Sequence, residues 1–583
     1  MGMEKRLVLA IVLMMAVVFV VNILFSPPAP QRPAGEQEAA LAPAETLATP
    51  RTEEVEREAP EIVGAQVPAQ EELALPAVSE PTELGPEDTV WVRSPLYRLA
   101  FGERGARLIS AELLEFESLA PDSKGEPVQL VPPLAEDFLT HRWLVGDDTL
   151  DLGLATFEAA RTELHLGTIG EPQDLSFVYQ HPRASFRLEL RYTFHPGSYV
   201  IDLEGRLLGV QPMGWWTLGL GAGLLSNAWD PEGDYKANLA FTAKGLGGVK
   251  SQKIGGLEAG EGANLDGPFD WVAVRTKYFA IAVVLPPDAD AERRFGGLLI
   301  TGLPQPYRAE GLASFPVGRD GSFAYSIYVG PLDPGQLSAV GHELDQVIPY
   351  GYKWLQPILR PLAGAITAAL VWMRNVLHLS YGWILILFGI GIRVVLFPLY
   401  QKSMRSQMAT MRVQPLMKEI QNKYKNDPQR LQQEMVKLYR EHKINPLGGC
   451  LPMLLPFPIL IALFFVFRDT IEFRGVPFLW LPDLSRPDPY YIVPLLMGAS
   501  IFLLQWIGQR SMPQTNPQMK MMMWVMPVML VILFLNFASG LNLYYATMNL
   551  ASLPQQLYLA KERRAAAAQP ALANPKKPLN LKS

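Results

Sequence analysis

The feature that most constrains this chain of 583 residues is a series of apolar segments in its last ~240 positions. We place five of them, at residues 382–399, 448–467, 491–507, 521–536 and 541–559. A helix rises about 1.5 Å per residue, so a hydrocarbon core of about 30 Å needs roughly 20 residues. The sequence therefore predicts a polytopic α-helical membrane protein with a five-span core within residues 379–560.

A further apolar segment lies at residues 7–25, behind Lys5 and Arg6. As a helix it would rise roughly 28 Å, enough to cross the hydrocarbon core. Basic residues before a span keep its start in the cytoplasm, so residues 1–25 are predicted to be an uncleaved anchor and the sixth span. A cleaved signal peptide is the alternative, although no A-x-A cleavage site follows.

The next two regions differ sharply in composition. Residues 26–88 are rich in Pro, Ala and Glu without a periodic apolar face, which predicts a disordered periplasmic linker. Residues 89–346 contain strand patterns at 186–192, 278–285 and 323–329. Short strands separated by Gly, Pro and Asp clusters predict a large antiparallel β-sandwich outside the cytoplasm. A sugar- or peptide-binding groove in this domain remains an alternative that the sequence does not locate.

The histidines of the predicted sandwich form no metalloprotease or hydrolase motif. We expect them to be scattered surface residues rather than metal ligands. They are His141, His165, His181, His195 and His342.

Residues 347–378 have apolar side chains at steps of three and four, from Leu355 to Leu377. This pattern predicts an amphipathic helix, and the stretch between Arg360 and Arg374 is too short to span. We expect the helix to lie along the outer membrane interface. Packing against the β-domain is the alternative.

The loop 400–447 carries ten Lys or Arg against four acidic residues, so the positive-inside rule places it in the cytoplasm. Its periodicity predicts a helical hairpin, with Asp427-Pro428 starting the second helix. Met404, Met408 and Met411 would share one face of the first helix, as a surface for varied apolar partners or as ordinary packing. The tail, residues 561–583, is also basic and falls on the same side.

Arg393 lies inside the first core span. A charge at that depth usually faces a protein interior or a wet cavity, and it usually has a carboxylate partner. The spans offer none, because Asp and Glu are missing from 346–418, 443–468 and 489–561. Either Arg393 extends toward the cytoplasmic interface along its long stem or it lines a hydrated cavity.

The last span carries a polar stripe at steps of three and four, which should avoid lipid. Its members can hydrogen-bond to other helices, or they can line a water-filled groove with Arg393. The stripe consists of Asn542, Tyr545, Asn549, Ser552 and Gln556.

Other classes of protein fit less well. A proton-coupled transporter needs intramembrane carboxylates or histidines, which these spans lack. An anchored periplasmic scaffold would leave Arg393 and the stripe unexplained. There is no P-loop, the single Cys450 provides no cysteine cluster, and we expect neither catalysis nor a cofactor.

Four motifs resemble those of the YidC membrane protein insertase family of Gram-negative bacteria. They are GIRVVLFPL at 391–399, NPLGGCLP at 445–452, DPYY at 488–491 and SGLNLYY at 539–545. The resemblance covers the whole architecture and is most detailed over residues 350–560. One departure is Gly389, one turn before Arg393, where a small hydroxyl residue is expected in relatives.

The resemblance implies a membrane insertase and chaperone of the inner membrane. It implies a groove open to the cytoplasm and to lipid, with Arg393 as its central arginine and Tyr544 or Tyr545 lining it. Nascent membrane proteins would be the clients, handled alone or with the Sec translocon, with membrane lipids as further partners.

The count of six spans and the basic hairpin and tail predict that both termini lie in the cytoplasm. The basic tail would attract ribosomal RNA through phosphate contacts, or it only sets the topology.

Overall fold

The computed structural model describes residues 88–568 except for 134–136, 146–147, 211–213, 287–293, 352–354, 402–412, 443–455 and 511–516. The predicted anchor, nearly all of the linker, and the three hairpin methionines Met404, Met408 and Met411 lie outside the described residues. So does the tail beyond residue 568.

The N-terminal half of the described chain is a β-domain built from two sheets. The smaller sheet has the order β4-β3-β2-β1-β8, and β8 pairs parallel with β1 while the other pairs are antiparallel. Its strands are β1 (Thr89–Arg93), β2 (Tyr97–Gly102), β3 (Leu108–Glu117), β4 (Pro127–Gln129) and β8 (Glu163–His165).

The larger sheet is antiparallel and has the order β6-β5-β12-β18-β17-β15-β16-β19-β11-β10-β9-β7, with β13 and β14 paired beside β15. Its strands are β5 (Phe138–Val145), β6 (Asp148–Asp151), β7 (Glu158–Ala159), β9 (Gln173–Gln180), β10 (Arg187–Phe194), β11 (Val200–Leu208), β12 (Trp215–Leu220), β13 (Ala240–Gly245), β14 (Gly248–Lys253), β15 (Gly262–Arg275), β16 (Phe279–Val284), β17 (Phe295–Gly302), β18 (Ala309–Pro316) and β19 (Ser322–Pro331).

Aromatic side chains join the two sheets face to face. The Phe101 ring of the smaller sheet lies 5.1 Å from the Tyr192 ring and 6.2 Å from the Phe177 ring of the larger sheet, between ring centroids. In β10 the inward residues alternate with exposed ones, which is the pattern that predicted this strand. The β-domain is therefore a sandwich, as the sequence indicates.

Helices dominate the rest of the described chain. Two short ones belong to the β-domain, α1 (Pro231–Ala237) and α2 (Pro334–Val340). The others are α3 (Gln356–Leu377), α4 (Tyr381–Val395), α5 (Gln414–Lys423), α6 (Pro428–Glu441), α7 (Pro456–Asp469), α8 (Ile492–Arg510), α9 (Pro517–Phe534) and α10 (Ser539–Ala568).

The membrane-spanning character of these helices is only partly evident. By length and hydropathy, one helix of the described chain, α8, could cross a bilayer alone. Helices α3 and α4 pass the same test together but are bent by 117° where they meet. Helix α4 ends at Val395, and the backbone is helical again at 397–401 after a turn at Leu396. Pro398, which has no N–H to donate to the preceding turn, lies at this break. The described helices therefore do not confirm six spans.

The amphipathic helix forms as predicted, and α5 packs against α6 within the predicted hairpin, of which residues 402–412 and 443–447 lie outside the described residues. Helix α3 buries Leu359, Ala363, Ile366 and Leu370 and packs against α7. At the start of α6, the Asp427 carboxylate accepts a hydrogen bond from the Arg430 amide at 3.0 Å. This N-cap explains why α6 begins at the proline that follows.

The loop between α7 and α8, residues 470–491, docks on the β-domain through Arg474. Its guanidinium donates to the carbonyl oxygens of Glu117 at 2.8 Å and Asn227 at 3.0 Å. Burial lowers the pKa of Arg474, and the nearby Tyr278 opposes this shift. The two carbonyls therefore replace part of the hydration that Arg474 loses.

Candidate functional site

The last helix, α10, is held in place by the α7–α8 loop. The Ser539 amide donates to the Arg486 carbonyl at 2.7 Å, and the Gly540 amide donates to the Leu484 carbonyl at 2.9 Å. These contacts give the Ser-Gly start of the SGLNLYY motif a structural role. They fix which faces of α10 meet α4 and α8.

Arg393 lies near the C-terminal end of α4 and contacts α10. One of its terminal nitrogens, Nη2, donates a hydrogen bond to the Gln555 side-chain oxygen. Its guanidinium carbon lies 4.0 Å from the centre of the Tyr400 ring, a cation–π distance. No ion pair to a carboxylate forms on Arg393 within the part of the chain that is described.

The Arg393 side chain extends toward the C-terminal ends of both helices. An ideal Cβ on Gly389 would lie 3.4 Å from Thr547 and 3.5 Å from Tyr544. Arg393, one turn further along α4, reaches Gln555, about two turns beyond Thr547. This direction agrees with the alternative in which the long Arg393 side chain extends its charge toward the cytoplasmic interface.

The two neighbouring tyrosines of the motif lie on different faces. The ring of Tyr544 is 6.0 Å from that of Phe388 on α4, so Tyr544 lies on the same face as Gln555. The ring of Tyr545 is instead 6.1 Å from that of Phe534 on α9. Of the two, Tyr544 therefore lies on the side of α10 that contacts Arg393.

The polar stripe of α10 faces α8 and α9, about 120° around the helix from Tyr544. Asn549 donates from Nδ2 to the Ser500 hydroxyl on α8 at 3.0 Å. Asn542 donates to the Phe534 carbonyl at 3.1 Å, and the Ser552 hydroxyl donates to the Asn549 carbonyl at 2.6 Å. The Asn549 and Asn542 bonds correspond to the helix-packing alternative for the stripe, whereas the Ser552 bond stays within α10.

The predicted site residues therefore divide into two groups. The structure brings Arg393 to the Tyr544 face, while Asn542, Tyr545, Asn549 and Ser552 lie on the stripe, where Gln556 is half-buried. Gln555, the residue that contacts Arg393, was missed by the sequence reasoning. The signal was its spacing, because eleven residues are about three turns and place Gln555 below Tyr544.

Several polar atoms at this site have no hydrogen-bond partner among the described residues. They are Arg393 Nε, Gln555 Nε2 and Asn542 Oδ1, each exposing less than 1 Å². A buried polar atom left without a partner costs about 1–3 kcal/mol. Two of the three atoms are donors that belong to the Arg393–Gln555 pair.

The histidines of the β-domain require two corrections. His181 is buried rather than on the surface, and its Nδ1 accepts hydrogen bonds from the Arg183 amide at 3.1 Å and the Ala184 amide at 3.0 Å. His141 is fully buried rather than on the surface, and its Nε2 lies 3.1 Å from the Tyr325 hydroxyl. Burial lowers its pKa to about 3, so the ring is neutral. Across the described ranges, no three His, Cys, Asp or Glu side chains are grouped to hold a metal ion.

Two sequence profiles match the chain. One, described as "60Kd inner membrane protein", matches residues 372–566, and the other, "YidC periplasmic domain", matches residues 89–365.

Among curated proteins, a "Membrane protein insertase YidC" of Syntrophus aciditrophicus is 32% identical over 589 residues, covering 96% of this chain and 100% of that protein. One of Chlorobaculum parvum is 33% identical over 533 residues, covering 84% of this chain and 86% of that protein. A crystal structure described as an active YidC insertase is 18% identical, covers 82% of this chain and 93% of its own, and has a TM-score of 0.33.

Proposed function

This chain belongs to the YidC family of membrane protein insertases, and we propose that it inserts its clients through a positively charged groove along the contact between α4 and α10. The clients are nascent membrane proteins. The chain catalyses no covalent reaction in this proposal. The groove hydrates the polar segment of a client while the apolar segment leaves sideways into the membrane lipids.

The observation that supports the charged groove is the set of partners around Arg393. They are an amide oxygen and an aromatic ring, which leave the full positive charge uncompensated. In an environment with an effective dielectric constant of about 20, a carboxylate ~8 Å away gains about 2 kcal/mol from such a charge. A client segment that carries an acid would therefore be drawn into the groove.

The groove lining is proposed in two parts. Arg393, Tyr544 and Gln555 form the charged side. The stripe residues Asn542, Tyr545, Asn549, Ser552 and Gln556 form the opposite side of the same helix, which a client could reach only if α8 and α9 separate from α10. The hairpin methionines Met404, Met408 and Met411 are proposed as a first contact for apolar client segments.

The topology is proposed from charge. Six spans, including an anchor at residues 1–25, place both termini and the hairpin 400–447 in the cytoplasm and the β-sandwich, residues 89–346, in the periplasm. Helix α3, within residues 347–378, would lie along the outer interface. Labelling of single cysteines in α6 and in the α7–α8 loop with a membrane-impermeant thiol reagent tests this arrangement, after Cys450 is replaced. Reaction of both positions from the same side would contradict it.

Two partners are proposed beyond the clients. The Sec translocon would supply larger clients. The basic tail, residues 561–583, would attract ribosomal RNA through salt-sensitive phosphate contacts, although a tail that only sets topology is the alternative. Ribosome co-sedimentation should weaken when the tail is removed and when salt is raised, and binding that ignores both changes would contradict the ribosome proposal.

The central test uses the purified protein in liposomes with two small single-span clients, one with an acidic and one with a neutral translocated tail. We expect Arg393→Ala to lower insertion of the acidic client by roughly tenfold or more, because the attraction of about 2 kcal/mol is lost. Arg393→Lys should retain much of it. Equal losses for both clients, together with a lower melting temperature, would make Arg393 a packing residue.

A further inference from the structure

Two nitrogen donors at the contact between α4 and α10 have no acceptor among the described residues. They are Nε of Arg393 and Nε2 of Gln555, and each exposes less than 1 Å². Their side chains are hydrogen-bonded to each other, through Arg393 Nη2 and the Gln555 oxygen. The two donors therefore lie on side chains that contact each other.

The Gln555 amide has only one orientation that fits. Its oxygen must face Arg393, because the reverse would set an NH₂ group against an NH donor. The same orientation leaves the NH₂ group free beside the arginine. Tyr400 covers one face of the guanidinium, with its ring centre 4.0 Å from the guanidinium carbon. An acceptor must therefore approach the guanidinium along its N–H edge, in the plane where hydrogen bonds form.

The two asparagine amides of α10 differ in this respect. The Asn549 and Asn542 side chains each donate to a neighbouring group, the Ser500 hydroxyl and the Phe534 carbonyl. Asn542 keeps an unpartnered oxygen, but an oxygen is an acceptor and repels the oxygen of a ligand. Among the described groups of α10 that carry a free donor, Gln555 is the one that touches Arg393.

We propose that Arg393 and Gln555 form a two-donor notch that binds an oxygen acceptor of the client chain. Both donor atoms are buried in this structure, so the client reaches them when α4 and α10 move apart. The acceptor is a side-chain carboxylate or a main-chain carbonyl of the polar segment, both of which lose their water partners at this depth. Gln555 acts as a positioning residue, which holds the guanidinium edge toward the client and adds a second N–H. The inference rests on the proposed groove, since it requires the client to pass along this face.

Gln555→Glu provides the sharpest test. The new carboxylate ion-pairs with Arg393 and removes the amide donor, so both the charge and the notch are lost. We expect insertion of the acidic client to fall roughly tenfold, the loss of a charge-assisted bond, and that of the neutral client by less than about threefold. The matched control is Gln505→Glu on α8, whose amide contacts the Met526 sulfur at 3.7 Å rather than an arginine. It should leave both clients within about twofold of the unaltered protein.

A double-mutant cycle separates positioning from folding. In the Arg393→Ala protein, Gln555→Glu should cause no further change in the ratio of acidic to neutral client insertion. Gln555→Leu, which cannot pair with arginine, should lower insertion of both clients, and Gln555→Asn should restore part of it. If Gln555→Glu behaves like Gln505→Glu while Arg393→Ala still discriminates between the clients, the notch is wrong and the charged groove stands. If Arg393→Ala does not discriminate between them, the groove and the notch both fail.

Discussion

Two sides of helix α10 carry polar side chains, but they differ in whether the hydrogen bonds of those side chains are made. On the packing side, toward α8 and α9, Asn542 and Asn549 donate to groups on neighbouring helices. On the Arg393 side, toward α4, two donors of the Arg393–Gln555 pair have no acceptor among the described residues. The proposed binding site therefore lies where the fold leaves hydrogen-bond donors without acceptors, and not on the side whose amides donate to neighbouring helices.

The two sides also differ in how much room they leave. Between α8 and α9, the two helices that cover the packing side, an ideal Cβ on Gly498 of α8 would lie 2.1 Å from the Val531 side chain of α9. On the Arg393 side, a Cβ on Gly389 of α4 would lie 3.4 Å from its nearest neighbour. The first distance is a clash and the second is ordinary close contact, so the Arg393 side accepts added atoms more readily.

The largest expected effect comes from Gly498→Ala. The branched Val531 side chain cannot rotate away easily, so overpacking should lower the free energy of unfolding by about 1–3 kcal/mol. The matched change Gly389→Ala should cost less than about 1 kcal/mol, since alanine also favours the helix. Thermal unfolding of both variants in the same detergent measures the difference. Similar melting temperatures for the two variants would contradict the conclusion that Gly498 is packed more tightly than Gly389.

A smaller effect is expected at the Asn549–Ser500 bond. The single changes Asn549→Ala and Ser500→Ala, compared with the double change, should show a coupling of about 0.6–1.7 kcal/mol in stability. Because the bond lies on the packing side, the ratio of acidic to neutral client insertion should stay constant. An altered ratio in Asn549→Ala would indicate that Asn549 contacts the client. It would contradict the assignment of this side of α10 to helix packing alone.

The smallest effect is expected from Gly389→Ser, which adds a hydroxyl between Arg393 and Tyr544. There is room for it, so stability should change by less than about 1 kcal/mol. The ratio of acidic to neutral client insertion should shift by less than about threefold, because Arg393 keeps its charge. A loss of stability as large as that of Gly498→Ala would show that the Arg393 side is packed as tightly as the other.

Local patterns predicted much of this fold. The alternation along β10 and the Asp427-Pro428 start of α6 depend on residues a few positions apart, and both appear in the structure. The prediction that His141 lies on the surface was wrong because it rested on the usual exposure of histidine and not on the position of His141 in the strand. His141 is two residues before the buried Trp143 in β5, and strand periodicity alone would have placed it in the core.

The candidate site was predicted less completely, since it depends on contacts between distant helices. The sequence identified Arg393 and a polar face of α10, and it joined them because both are unusual in a membrane. Which face of α10 meets α4 depends on how the Ser539 and Gly540 amides bind the α7–α8 loop. The sequence pattern of α10 does not show which face contacts α4, so Gln555 was missed while its neighbour Gln556 was named.

The docking of Arg474 has a consequence for the timing of synthesis. The arginine follows its two carbonyl acceptors by 357 and 247 residues, at Glu117 and Asn227. Chains grow at about 5–20 residues per second, so roughly 10–70 seconds separate the acceptors from the arginine. The β-domain can complete its sheets in that interval, because its last strand ends at Pro331. The surface around the two carbonyls therefore faces water while α4 to α7 are still being made. Arg474 covers it only after α7 has emerged.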